Sequence, residues 1–100
     1  MNDYILFMHD DVPKESREAS EAGWDEYLSK LVASGQFDGG SSIGQGACVR
    51  KDGAVRAIAS NLSGYIRVRA ENLEDAKRFV SGNPVFEAGG TVEIRALPRG

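Results

Sequence analysis

The chain has one histidine, His9, followed directly by Asp10 and Asp11. A neutral imidazole beside a carboxylate is the commonest biological general base, because its pKa lies near working pH. In this reading His9 moves a proton and Asp10 orients the ring. Arg67, Arg69 and Arg95 supply the complementary chemistry, since a guanidinium fork can hold a carboxylate or phosphate. The expected site is therefore His9 and Asp10 for catalysis, with Ser63, Tyr65 and Arg67 in contact with a small anionic substrate. Each assignment has a plainer alternative. His9 lies where a strand would leave its sheet, and its ring could be bonded to a turn. The arginines could pair with Glu93 across strands or across a dimer interface.

Other candidates carry less chemistry. Gly44-Gln45-Gly46 and Gly89-Gly90 lack the strand, Gly-rich loop and helix context of a phosphate loop, and read as turns. Cys48 has no second histidine to activate it and reads as a small packed residue. Trp24 and Tyr27 fit helix–sheet packing better than an aromatic platform. The carboxylates are too scattered to argue a metal site or a glycosidase pair, and no redox cofactor motif is present, so metal and cofactor are both expected to be none. A single cysteine excludes an internal disulfide and cannot make a zinc site alone.

Charge narrows the partners. A net charge of −3 and a pI near 5.1 give no electrostatic case for nucleic acid, although Tyr65 beside Arg67 and Arg69 superficially suggests an RNA-binding sheet. Tyr4–Met8 is far too short for a signal peptide, and no stretch approaches a membrane span. The expectation is a cytoplasmic protein whose residues 1–100 form one domain.

The elements that must position the site can be read from periodicity. Tyr4–Met8 is a continuous apolar run, which suggests a central strand covered on both faces. A helix starts between Lys14 and Ser20, with Ser16 and Ser20 both able to cap it, and carries Trp24, Tyr27, Leu28 and Leu31 at i, i+3, i+4, i+7. Gly35 suits its C-terminal cap. Phe37 opens a strand that Gly39-Gly40-Ser41-Ser42 should loosen or bulge. Ala47–Arg50 and Ala54–Ile58 flank Lys51-Asp52-Gly53, a hairpin signal. Gly64–Ala70 alternates Ile66, Val68 and Ala70 with Tyr65, Arg67 and Arg69. Asn72 can cap a second helix bearing Leu73, Ala76, Phe79 and Val80 on one face, ended by Gly82 and Pro84. Thr91–Leu97 alternates again.

The order is β, α, β, an inserted hairpin, β, α, β, which is the ferredoxin-like α+β sandwich with an added β-hairpin. In that order the first strand is central and lies beside the Gly64 strand in the opposite direction. His9 then approaches the Ser63–Tyr65 end. The core should hold Leu28, Leu31, Ile66, Val68, Phe79, Val92 and Ile94. Two helices cover one face only, so the Tyr65/Arg67/Arg95 face should be covered by a second copy, a homodimer.

Several features now fall in register with one family. They are the N-terminal apolar strand ending in an acidic pair, the helix with Trp24, Tyr27 and Leu28 before Gly35, and Val49-Arg50-Lys51-Asp52-Gly53. They continue with Gly64-Tyr65, Asn83-Pro84 and the closing Gly89-Gly90-Thr91-Val92-Glu93-Ile94-Arg95-Ala96-Leu97. Together they resemble the YCII-related proteins, in particular the branch that usually carries an Asp-Gly-Pro-Phe motif. That motif is absent here, and Ala59-Ser60-Asn61-Leu62-Ser63 stands in a shorter connection. Simpler family members have a first-helix histidine thought to act with an aspartate. That position falls at or near Trp24, so the role does not carry over. The resemblance implies a dimeric α+β barrel of ferredoxin-like protomers with a small-molecule pocket. It also implies an enzyme akin to muconolactone isomerase, while some relatives are connected with sigma-factor regulation. The expected function is binding of a small anionic molecule, with proton transfer of the isomerase or lyase type. The alternative is a non-catalytic regulatory or protein-interaction module.

Overall fold

The structure, a computed structural model, describes residues 1–58 and 61–99. Four strands, β1 (Asn2–His9), β2 (Phe37–Ser42), β3 (Leu62–Ala70) and β4 (Val92–Leu97), form one sheet in the order β2-β3-β1-β4. Every neighbouring pair is antiparallel. This is the ferredoxin-like order. The central place of β1 agrees with its continuous apolar run. Tyr4, Leu6 and Met8 face the helices and are buried, while Ile5 and Phe7 on the other face are only half-covered.

The helical layer is more broken than a two-helix reading suggests. A 3-10 turn (Lys14–Ser16) leads into α1 (Arg17–Glu21), and a separate α2 (Trp24–Ser34) follows. Gly23 and Gly35, left-handed at φ 81° and 72°, bracket α2 and take a conformation other residues resist. Neither Ser16 nor Gly23 makes a side-chain cap bond. The Trp24 stripe lies on α2, with Tyr27 and Leu31 buried and Trp24 and Leu28 packed against the core.

Asn72 does cap α3 (Leu73–Lys77), its Oδ1 accepting from the Asp75 amide at 2.8 Å. Ala76 and Phe79 are buried, but Leu73, the first residue of α3, is 45% exposed. Pro84 does not stop the chain. It opens α4 (Pro84–Glu87), where Asn83 Oδ1 accepts from the Val85 and Phe86 amides. An Asn cap followed by proline at the first helical position is a start signal, since proline's missing N–H is not needed there.

Of the expected core, Leu31, Ile66, Val68 and Phe79 are buried, while Leu28, Val92 and Ile94 are partly so. Val92 and Ile94 sit on the edge strand, where cover is one-sided. The expected looseness in β2 takes the form of a register shift between Phe37 and Gly40.

The hairpin expected at Ala47–Arg50 and Ala54–Ile58 is corrected: no strand occurs over residues 43–58. Every residue from 44 to 58 is exposed. A two-stranded ribbon with no surface to bury its apolar side is marginal in water, whatever its turn signal. Ala59 and Ser60, the first two residues of the connection expected at Ala59–Ser63, lie outside the described residues.

Candidate active site

β1 leaves the sheet at the edge where β3 begins and β2 ends. α1 and α2 lie above that edge, and a cavity of about 500 Å³ opens between them. Met8 and Ile66 from the sheet, Trp24 and Leu28 from α2, and Phe37, Val12 and Val85 form its apolar walls. His9, Asp10, Ser63 and Tyr65 line the same cavity, together with Arg17, Ser20, Glu21, Ser41 and Ser42. Four of the five expected site residues are thus brought together. The antiparallel register accounts for it, since Met8 lies opposite Gly64 and His9 opposite Leu62.

Arg67 is the exception. It stands opposite Ile5 on the uncovered sheet face and is exposed. Its alternation with buried Ile66 and Val68 puts it on the far side of the sheet from the helices. The cation that lines the cavity is Arg17 of α1. It escaped sequence reading because α1 is short and carries no apolar stripe to fix its facing.

The partner of His9 is also corrected. His9 Nε2 lies 2.8 Å from Glu93 Oε1, and no bond joins it to Asp10 among the described residues. Successive strand side chains point to opposite faces, and the β1–β3 ladder shifts register between Met8 and His9. Asp10 is exposed and is held through its backbone, its N–H donating to Asn61 O at 2.8 Å. Glu93 reaches His9 because Glu93 stands opposite Phe7 on β4, on the same face and one step away.

Glu93 is itself fixed. Arg95 Nη1 donates to its Oε2 at 3.0 Å. The His9 bond first, and then Arg95, hold the Glu93 carboxyl below its usual range. An ionised carboxylate only accepts, so Nε2 of His9 carries the proton and donates it. In the neutral ring Nδ1 is then the bare, basic nitrogen, and it has no protein partner among the described residues. The ring is only 23% exposed, and its backbone N–H donates to Thr91 O at 2.9 Å. Asp11 clamps the same corner, accepting from the Thr91 amide at 2.8 Å and hydroxyl at 2.6 Å. Those two bonds, the hydroxyl first, hold the Asp11 carboxyl below the ordinary range.

The remaining walls are held in place too. Trp24 Nε1 donates to Ser20 O at 2.9 Å, and its ring meets Tyr27 edge-on with centroids 5.6 Å apart. Gly40 lies so close to β3 that a β-carbon there would sit 2.4 Å from Tyr65 O. Only glycine lets β2 pass beside the cavity at this distance. On the open face Arg69 pairs with Asp38, and Arg95 with Glu93.

A second hollow, of about 620 Å³, lies on the outer side of α2 among Lys30, Arg78, Tyr27 and Phe79, and none of the expected site residues lines it. Among the described residues no three His, Cys, Asp or Glu side chains gather so as to hold a metal ion. No helix there is long and apolar enough to cross a membrane.

Comparison with known proteins agrees with this architecture. The fold is similar to that of 5-chloro-2-hydroxyhydroquinone dehydrochlorinase from Burkholderia phenoliruptrix AC1100, solved in complex with 2,5-dihydroxybenzoquinone. The TM-score is 0.60 at 17% identity, over 98% of this chain and 95% of that one. No curated protein matches the sequence. The model of the YCII-related domain matches residues 3–98, nearly the whole chain, and the protein belongs to that family.

Proposed function

We propose that this protein binds a small oxygen-bearing molecule in the 500 Å³ cavity and transfers a proton on it, in a reaction of the isomerase or lyase type. The observation that carries this reading is the His9–Glu93 pair: His9 is among the residues that line the cavity, and Glu93 holds its ring from the open face of the sheet. Glu93 fixes the tautomer and orientation of the ring. Nδ1 of His9 is the base, and the adjacent carboxylate stabilises the imidazolium that forms. Arg17 and the Ser42 hydroxyl are the groups that can meet negative charge building on a substrate oxygen, while the Ser20, Ser41 and Ser63 hydroxyls donate to the Arg17, Ser42 and Met8 carbonyls. Asp10 stands at the rim, and Tyr65 borders the cavity from β3 while alternating with Ile66 onto the uncovered face. Trp24 and Phe37 provide apolar walls against which a flat ring can lie.

The similar enzyme supports this chemical class. Its name denotes loss of hydrogen chloride from a chlorinated hydroxyhydroquinone, and the molecule bound to it is an oxygenated ring. Loss of hydrogen chloride includes removal of a proton, the step a base assists.

The working form is a homodimer. The uncovered face of the sheet carries Ile5 and Phe7, half-buried, beside Tyr65, with Arg67 and Arg95 around them. A second copy packed there gives the α+β barrel of the family. The same face favours the other reading, a regulatory module acting through protein contacts. A thermal-shift screen against small hydroxyquinones, lactones and carboxylates separates the two, since a ligand that binds only the folded state raises Tm. Once turnover of a hit is measured, His9→Gln lowers it by about two to four orders of magnitude with the fold intact. A binding ligand that is turned over equally well by His9→Gln would refute the catalytic reading.

A further inference from the structure

The segment from residue 43 to 58 is unlike the rest of the chain. It is an arm of irregular structure, and connections of this length without secondary structure are uncommon and often functional. Val49, Val55 and Ile58 are 92%, 62% and 48% exposed. These three apolar side chains on one segment are available to pack on another surface. Apart from the adjoining residues, no atom lies within 4 Å of where a β-carbon would sit on Gly44 or Gly46. The protein measures 46 × 42 × 19 Å. Its short dimension is that of one sheet and one helical layer, so the arm is laid over neither face.

The arm's charge is opposite to that of its surroundings. It carries Arg50, Lys51 and Arg56 against one acid, Asp52, in a chain of net charge −3. The cavity lip carries Asp10 and Glu21 against one guanidinium, Arg17, with Glu18 exposed on the same short helix. Both roots of the arm are at that lip. Ser42 and Ser63 line the cavity, and Ile43 N–H donates to Ser63 O at 3.0 Å. At the far root Asn61 O accepts from Asp10 N–H. Fully extended, residues 43–50 reach about 25 Å, enough to cross the mouth of a cavity of about 500 Å³.

We propose that the 43–58 arm is a lid for the chain's own cavity: it swings over the mouth, sets its basic residues against Asp10, Glu18 and Glu21, and lays Val49, Val55 and Ile58 over the apolar walls. The structure shows it in the open position. Closure shuts water out of the site where His9 works. The proposal rests on the reading of that cavity as the ligand site.

The chain contains its own probe pair. Trp24, its one tryptophan, is in the cavity wall, and Cys48, its one cysteine, is exposed in the arm. An aminonaphthalene-sulfonate label on Cys48 accepts excitation from Trp24, and transfer efficiency reports how near the arm is to the cavity. Transfer should fall by about half or more on going from about 0.01 M to 1 M salt, as the screening length shrinks from about 30 Å to 3 Å. The charge-reversed arm, R50E with K51E and R56E, should show the low value at every salt concentration. These exposed substitutions leave the packed body untouched. Transfer that ignores both salt and charge reversal overturns the lid. So does transfer from unlabelled chains to labelled Trp24→Phe chains, which assigns the arm to a second copy. No ligand is added, so failure here leaves the proton-transfer reading standing, and loss of that reading in His9→Gln leaves the transfer unchanged.

Discussion

Leu6 and Ile66 face each other across the β1–β3 ladder, and both are essentially buried, at 0% and 2% exposure. Truncating either to alanine removes three carbons from the interior. At about 0.8 kcal/mol per methylene the transfer part is about 2.4 kcal/mol for each. The residual void adds up to about 2 kcal/mol where the surroundings cannot collapse. That second part should differ between the two sites. Ile66 lines the 500 Å³ cavity and Leu6 does not. The void left by Ile66→Ala opens into space already present, whereas that left by Leu6→Ala is closed on all sides. Leu6→Ala should therefore cost about 4 kcal/mol and Ile66→Ala about 2.5–3 kcal/mol. The greater β-propensity of isoleucine works against this gap by a few tenths, so a difference of about 1 kcal/mol is expected. Urea denaturation with a common m-value measures it. Equal costs, or a greater cost for Ile66→Ala, would show that Ile66 does not border an open cavity, and the site as described would be wrong.

The Asp11–Thr91 clamp predicts a pH dependence. The Asp11 carboxyl is depressed below 3.8, so its stabilisation is complete above the unfolded pKa and is lost as pH falls through the folded one; Thr91→Val should lower Tm at neutral pH, and the gap to the native protein should close in that acid range. A gap constant from pH 7 to pH 2 would deny the clamp. Gly40→Ala places a β-carbon 2.4 Å from Tyr65 O and should cost about 1–3 kcal/mol in chemical denaturation, while a neutral result would mean that β2 does not pass so close. Sedimentation at micromolar concentration should give a dimer burying about 1,200 Å² or more, and a monomer throughout would remove the second copy from the uncovered face.

Strand and helix periodicity carried most of the fold into the sequence. The alternation of Ile66, Val68 and Ala70 with Tyr65, Arg67 and Arg69 is both the pattern and the observed facing. Local chemistry without burial misled. The Lys51-Asp52-Gly53 signal predicts a hairpin, but no surface covers Val49 or Val55, and turn chemistry alone does not hold two strands. Asn83-Pro84 was ambiguous because a proline that ends one helix can begin another. At the candidate site, the gathering of His9, Asp10, Ser63 and Tyr65 along one cavity was legible because strand order follows from the element pattern. Glu93 was not, since its meeting with His9 depends on the register of β4 against β1, and 83 residues separate them in the chain. Arg17 was hidden by the break at Gly23, which turns α1 independently of the Trp24 stripe.

The central claim is that His9, oriented by Glu93, meets the ligand in the cavity. Nitrogen and proton NMR of the single imidazole tests it, because the chain has one histidine and one tryptophan to follow together. In the free protein the ring should be the tautomer protonated at Nε2, and Glu93→Gln should disturb that assignment while Asp10→Asn leaves it alone. During titration with 2,5-dihydroxybenzoquinone, the Nδ1 signal of His9 and the indole signal of Trp24 should move together and saturate at the same concentration. A Trp24 signal that saturates while the His9 ring stays still would contradict the account, and no signal moving at all would put this class of ligand outside the cavity.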